Sequence, residues 1–199
     1  FRIAISGGYS KSFGDDNSVP YFLIDYYNQL KHNYHIDAEA TWFVYRKLGL
    51  GVEFMQFKAS NQTDDSFAYV LNGKTIYKTS DRITVNFFGI NCTRRFMKPG
   101  NHHFFLASAA LGYVTYRDVC ILNTPYSITG HSIAIKASCG YDYLFSKNWA
   151  VGFTASLLWG SVNQYEWSDG NSTQTHHLGP ANEISTGRMS VGAGLRYCF

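Results

Sequence analysis

Apolar and polar positions alternate along this chain with a period of two, in eight separate stretches. Residues 187–199 show the pattern most clearly. Met189, Val191, Ala193, Leu195, Tyr197 and Phe199 share one parity, and Arg188, Ser190, Gly192, Gly194, Arg196 and Cys198 share the other. Side chains of a strand point alternately to its two faces, so this stretch predicts a strand with one apolar face and one polar or very small face. The same reading places Phe1, Ile3, Ile5 and Tyr9 opposite Arg2, Ala4, Ser6 and Gly8, and the 34–44 and 48–54 stretches behave alike. Ile83, Val85 and Phe87 are set against Thr84, Asn86 and Phe88. Residues 133–143 and 149–160 alternate cleanly, whereas 103–116 are apolar on both parities, with Leu111 and Tyr113 placed outward. Eight strands result.

The connections alternate as well. Those at 45–47, 94–102 and 145–148 are short, and those at roughly 14–33, 59–81, 118–130 and 163–183 are long and rich in Asp, Asn, Ser, Thr and Gly. In an up-and-down meander, alternate connections lie at the same end. All short turns therefore fall at one end, with both termini, and all long loops at the other.

Composition decides which face points inward. Charged residues are 16% of the 199, below the usual quarter, while aromatics reach 17%. Mean hydropathy is nevertheless −0.19, and no run of 18 apolar residues exists for a transmembrane helix. With the apolar face inward, Trp42, Trp149, Phe153, Tyr141, Tyr143 and Phe199 would crowd one small interior, under a surface of Gly, Ala, Ser and Thr with few charges. With the apolar face outward against lipid, small residues fill a narrow lumen and the charges pair inside it. Lipid admits only helices or closed barrels, because every backbone group needs a partner. The expected fold is all-β: one membrane-spanning, eight-stranded, antiparallel up-and-down barrel over residues 1–199, with short periplasmic turns and long surface loops. Residues 1–5 already read as strand, so an exported form is expected to have lost its targeting segment. A net charge of +3 and the lack of a basic run interleaved with aromatics argue against nucleic acid.

The whole chain resembles, in pattern and not in identity, the small eight-stranded outer-membrane barrels of Gram-negative bacteria, the OmpA/OmpX-like group. The sharpest element is the final strand, Leu195, Tyr197 and Phe199, which looks like the outer-membrane insertion signal. The resemblance implies a bacterial outer-membrane location with periplasmic termini. The partners it implies are lipid and lipopolysaccharide, the barrel-assembly machinery during insertion, and other outer-membrane proteins. It also implies that the chain ends at this strand.

Nine inward positions carry charge or imidazole: Arg2, His35, Asp37, Glu39, Glu53, Lys136, Asp142, Arg188 and Arg196. Four bases face four acids, and a charge in a low-dielectric lumen is costly unless paired. The expectation is a salt-bridged plug, with a narrow proton or ion path as its rival. His35, Asp37 and Glu39 share a face, but residues two apart on a strand sit roughly 6.5–7 Å apart, too far for one ion to gather all three. Neither His102-His103 nor His176-His177 makes a chelate unaided, so no metal and no cofactor is expected.

Catalysis is not expected either. A lipid deacylase would need His and Ser on one strand face, and Gly130-His131-Ser132 sets them on opposite faces. Four cysteines, Cys92, Cys120, Cys139 and Cys198, read as unpaired, with Cys139 facing lipid and Cys92 and Cys198 facing the lumen. The stretch VPYFLIDYYNQL is too apolar for a freely solvated loop, and its i, i+4 spacings suit a short helix. Tyr21, Phe22, Leu23, Tyr26, Tyr27 and Leu30 are candidates for capping the barrel mouth, for the membrane interface, or for a partner. The expected function is a non-enzymatic outer-membrane barrel acting through its loops and wall. The alternatives are an accessory subunit of a larger outer-membrane complex, a lipid-modifying enzyme, and a small pore.

Overall fold

The computed structural model describes residues 1–13, 24–63, 69–71, 74–76, 79–97, 102–122, 124–179 and 183–199. In chain order its elements are β1 (Arg2–Ser12), α1 (Ile24–Leu30), β2 (His32–Tyr45), β3 (Leu48–Gln62), β4 (Tyr69–Leu71), β5 (Lys74–Ile76) and β6 (Thr79–Phe96). There follow β7 (His103–Leu122), β8 (Thr124–Leu144), β9 (Trp149–Val162), β10 (Gln164–Ser168), β11 (Thr173–His177), β12 (Ile184–Ser185) and β13 (Arg188–Cys198). Eight long strands pair antiparallel in the cyclic order β1, β2, β3, β6, β7, β8, β9, β13 and back to β1. Closure is made by β1 on β13, from Arg2 opposite Cys198 to Ser12 opposite Arg188. With the ring closed, no strand edge in it faces lipid.

The outer wall carries the apolar parity. Ile5, Ile36, Val52, Ile90, Ile133 and Phe153 are all more than half exposed, which in water would be a standing aggregation surface and in a bilayer is the matching one. Aromatic side chains rim this belt. At the short-turn end Tyr197 packs edge-on against both Trp149 and Phe199, and Phe199 lies against Phe1. At the loop end Tyr113 stacks on His131, and Tyr9 bonds His32. There the wall turns polar, where Gln56 donates to Asn86 and Asn86 donates to Thr115 across three strands.

Three expectations from the sequence are corrected. The parity of the fourth stretch is inverted. Val85 and Phe87 point into the barrel with no exposed surface, whereas Phe88 and Ile90 face outward. Both faces of this strand are apolar, so alternation alone could not choose between them. The register chooses, because Phe88 sits opposite Phe54 and the two rings meet at a tilt, centroids 4.8 Å apart, on the lipid side. Cys92 shares that parity and is exposed on the wall rather than facing the lumen. Finally, residues 118–130 form no long loop. β7 and β8 remain paired as far as Leu122 opposite Thr124, and β10 pairs with β8 on this projecting ribbon.

Candidate functional site

The lumen is filled by two layers of different chemistry. Toward the short turns, Asp142 on β8 reaches across to Arg2 on β1. Arg2 Nε and Nη2 each lie 3.0 Å from its Oδ2, and Arg196 Nε on β13 donates to Oδ1 at 3.1 Å. Arg2 Nη1 is 3.0 Å from Glu39 Oε2, and the Thr41 hydroxyl donates to Glu39 as well. Lys136 on β8 spans to Asp37 at 2.9 Å and to Glu53 at 3.3 Å, on β2 and β3. Arg196 Nη2 also donates to Thr154 at 3.0 Å. β8 is not a sheet neighbour of β1, β2, β3 or β13, so the pairs that Asp142 and Lys136 make bridge strands that do not touch in the sheet.

Room for these ties comes from glycine. A Cβ at Gly152 would stand 2.0 Å from Asp142 Oδ1, so only a residue without a side chain lets that carboxylate lie flat between two guanidinium groups.

Toward the loops, the lumen is apolar. Met55, Phe57, Val85, Phe87, Ala110, Val114, Ala134 and Leu158 form one buried cluster, with Ile83 and Tyr116 against it. Phe87 fits because Gly89 and Gly112 lie under its ring, where an added Cβ would meet ring atoms at 2.7 and 2.6 Å. His35 and Arg188 border this layer and do not join the ion pairs. His35 lies against Phe57, and the Arg188 guanidinium sits 4.6 Å above the same ring. Arg188 donates to the Asn33 side chain at 3.2 Å and to the Thr186 carbonyl at 3.1 Å. Among the described residues no carboxylate lies within ion-pair distance of Arg188, so the expected four-to-four pairing becomes three bases with four acids. An aromatic face and two neutral acceptors take the place of the acid.

Above the apolar layer, α1 lies over the mouth. Tyr26 and Leu30 are buried, and Tyr27 stays partly exposed with its ring edge-on to Tyr26. The Tyr26 hydroxyl donates to Asp81 Oδ2 at 2.7 Å, and Asn61 Nδ2 donates to the Tyr26 carbonyl at 2.9 Å. The candidates Tyr21, Phe22 and Leu23 lie outside the described residues. Asp81, Asp118 and Cys120 sit beneath this cap, on the projecting part of β6 and β7 beyond the apolar belt, and all three are buried. Burial, helped by the neighbouring Asp81, pushes the Asp118 carboxyl up to about 6. Burial also raises the Cys120 thiol, with Asp118 adding to the effect. No reading of single strands singled out this trio. Its signal is the cross-strand register, which sets Asp81 opposite Cys120.

His131 and Ser132 point to opposite faces of β8. His131 stacks on Tyr113, and Ser132 donates to a backbone carbonyl. His103 hydrogen-bonds the Tyr141 hydroxyl, and His176 stacks on Tyr165. The cysteines are all free.

A closed ring of eight strands, an apolar outer wall and a packed lumen decide the architecture. The fold is that of the small OmpA/OmpX-like outer-membrane barrels. No protein-family model matches the chain, and no curated protein matches it in sequence. Solved structures do match in shape. Neisserial surface protein A superposes with a TM-score of 0.59 at 13% identity, covering 100% of this chain and 96% of that one. A major outer membrane protein from Thermus thermophilus superposes with a TM-score of 0.60 at 10% identity, covering 98% of both. The outer membrane protease OmpT from Escherichia coli reaches 0.50 at 11% identity, covering 84% of this chain and 63% of that one. A wall of this kind is thus shared with a protease and with surface proteins whose names carry no activity, so the barrel fold alone does not assign one.

Proposed function

We propose that this barrel is a non-enzymatic protein of the bacterial outer membrane, with its termini and short turns in the periplasm, acting through its capped loop end and its wall. The observation that carries the reading is the filled lumen. Ion pairs cross it at one level, Phe87 and its neighbours fill it at the next, and α1 lies over the mouth. A tube plugged at three levels offers no wide path, which leaves the outer surfaces as the parts that meet other molecules. The non-enzymatic reading is supported by the Ser132 hydroxyl donating to the Ile133 carbonyl while His131 stacks on Tyr113 on the other face.

Planar-bilayer recording of the purified protein tests the plug. The expected record is flat or shows only rare, small openings, and large steady conductance would replace this reading with a pore. Lipid A mass spectrometry on a deletion strain tests the enzyme alternative, with an unchanged lipid A profile expected.

A second reading, an accessory subunit of a larger outer-membrane complex, is favoured by the wall. A groove of about 920 Å³ runs beside Gly7, Ala193 and Gly194, between Ile3, Ile36 and Leu195. Extraction in mild detergent followed by identification of co-purifying chains separates it from a free-standing barrel.

A further inference from the structure

Asp81 and Asp118 are two carboxylates, each more than nine-tenths buried, with no counter-charge on the described residues. No Lys, Arg or His nitrogen among those residues lies within 4.0 Å of either. Asp81 is stabilised by the Tyr26 hydroxyl at 2.7 Å. Asp118 receives a long 3.4 Å bond from Tyr116 on Oδ2, the Cys120 thiol and the Arg82 backbone also bond its carboxylate weakly, and its Oδ1 is buried without a close hydrogen-bond partner. Burying a charge in this way is costly unless something neutralises it. The third member is the Cys120 thiol, directly opposite Asp81 in the β6–β7 register and two residues from Asp118 on the same face.

We infer that Asp81, Asp118 and Cys120 form a binding site for a divalent cation of the zinc class, beneath α1 at the loop end of the lumen. One candidate ligand atom from each residue lies within 4.8 Å of the others. Tetrahedral zinc, with bonds of 2.0–2.3 Å, sets its ligands about 3.4 Å apart, so modest side-chain rotation brings the three together. The objection to His35, Asp37 and Glu39, three residues strung along a single strand, does not apply here. A cross-strand pair supplies the short separation that same-strand neighbours lack.

The donor set points to the metal class. Two carboxylates alone would suit a hard ion such as calcium, whereas a thiol among them selects a borderline ion that accepts both oxygen and sulfur. On binding, the Cys120 S–H bond breaks, its proton passes to water, and the thiolate forms the metal–sulfur bond. Two carboxylates and one thiolate then surround the dication, leaving one net negative charge, and the Tyr26 hydroxyl donates to the outer oxygen of Asp81.

Cobalt(II) titration of the EDTA-treated, folded barrel in detergent tests the site. The expected result is one equivalent bound, with a near-ultraviolet thiolate-to-cobalt charge-transfer band that zinc displaces. Cys120→Ser should abolish the band, and Asp118→Asn should weaken cobalt binding by at least about tenfold. Cys92→Ser and Cys139→Ser should change neither. Heat-modifiable gel mobility establishes that each variant is folded.

A measurement on the unmodified protein covers the case in which Cys120→Ser does not fold. Zinc should slow alkylation of Cys120 while leaving Cys92 and Cys139 unchanged, read by mass spectrometry. No band on the folded protein, a band that survives Cys120→Ser, or zinc-independent alkylation of Cys120 would overturn the proposal.

Discussion

Toward the short turns the lumen is crossed by ion pairs, and Asp142 alone holds arginines from β1 and β13. Toward the loops the same tube is filled by Phe57, Phe87, Met55 and Leu158. Both fillings exclude water and link strands that do not touch in the sheet, but they respond differently to change. A buried ion pair is worth little against a well-packed apolar replacement, yet breaking it from one side is costly because the partner charge stays behind. An apolar layer loses stability in proportion to the volume removed. The charged half is therefore a set of all-or-none constraints, and the apolar half a graded one.

One of the two largest effects is expected from Asp142→Ala, which leaves both Arg2 and Arg196 without their shared carboxylate. It should cost about 3–5 kcal/mol, read as a lowered urea midpoint of the refolded barrel in lipid vesicles. A cost below about 1 kcal/mol would mean that the two arginines find other partners and that the charged half is graded after all.

In the apolar half, Phe87→Ala should cost about 3–5 kcal/mol, and the adjacent Phe88→Ala much less, because Phe88 faces lipid. Equal costs for the two neighbours would count against the inward parity of Phe87, and with it the division of the lumen into layers.

Arginine scanning of the wall sharpens the contrast from outside. Phe88→Arg and Phe153→Arg should each cost about 2–4 kcal/mol, with Leu195→Arg, closer to the rim, costing less. If Phe88→Arg inserts as readily as the unmodified protein while Phe87→Arg does not, the wall assignment holds only for the other strands.

The smallest effect belongs to the cap. Tyr26→Phe removes the hydroxyl that bonds Asp81 but keeps the ring, and should cost about 0.5–1.5 kcal/mol. Hydrogen exchange of the 24–30 amides should rise while the barrel amides stay protected. Loss of protection throughout would make α1 part of the barrel's cooperative unit instead of a separate cover.

Legibility in the sequence followed the contrast between the two faces of each strand. Where one parity is Val, Phe or Trp and the other is Gly, Ser, Asp or Arg, as in 149–160 and 187–199, alternation assigned the lipid face directly. Arg2, Asp37, Glu39, Glu53, Lys136, Asp142 and Arg196 stand out because a charge among such strands has nowhere to go but inward. Alternation was silent where both parities are apolar. On β6, Phe87 and Phe88 are the same residue type, and only pairing with Phe54 separates them. It misled where polar residues belong to a paired ribbon. Asp118 and its neighbours read as loop although β7 and β8 continue through them.

By itself, then, the order of residues determined an eight-stranded barrel with an apolar outer wall and charges inside, because a period of two is local and lipid leaves one solution for its backbone. The tertiary structure alone decided which charges meet and which layer is dry. It also decided that Arg188 rests on Phe57 and that Asp81, Asp118 and Cys120 converge under Tyr26. These are matters of register and of reach across the lumen. A one-residue slip on any strand would reverse them while leaving every local pattern unchanged.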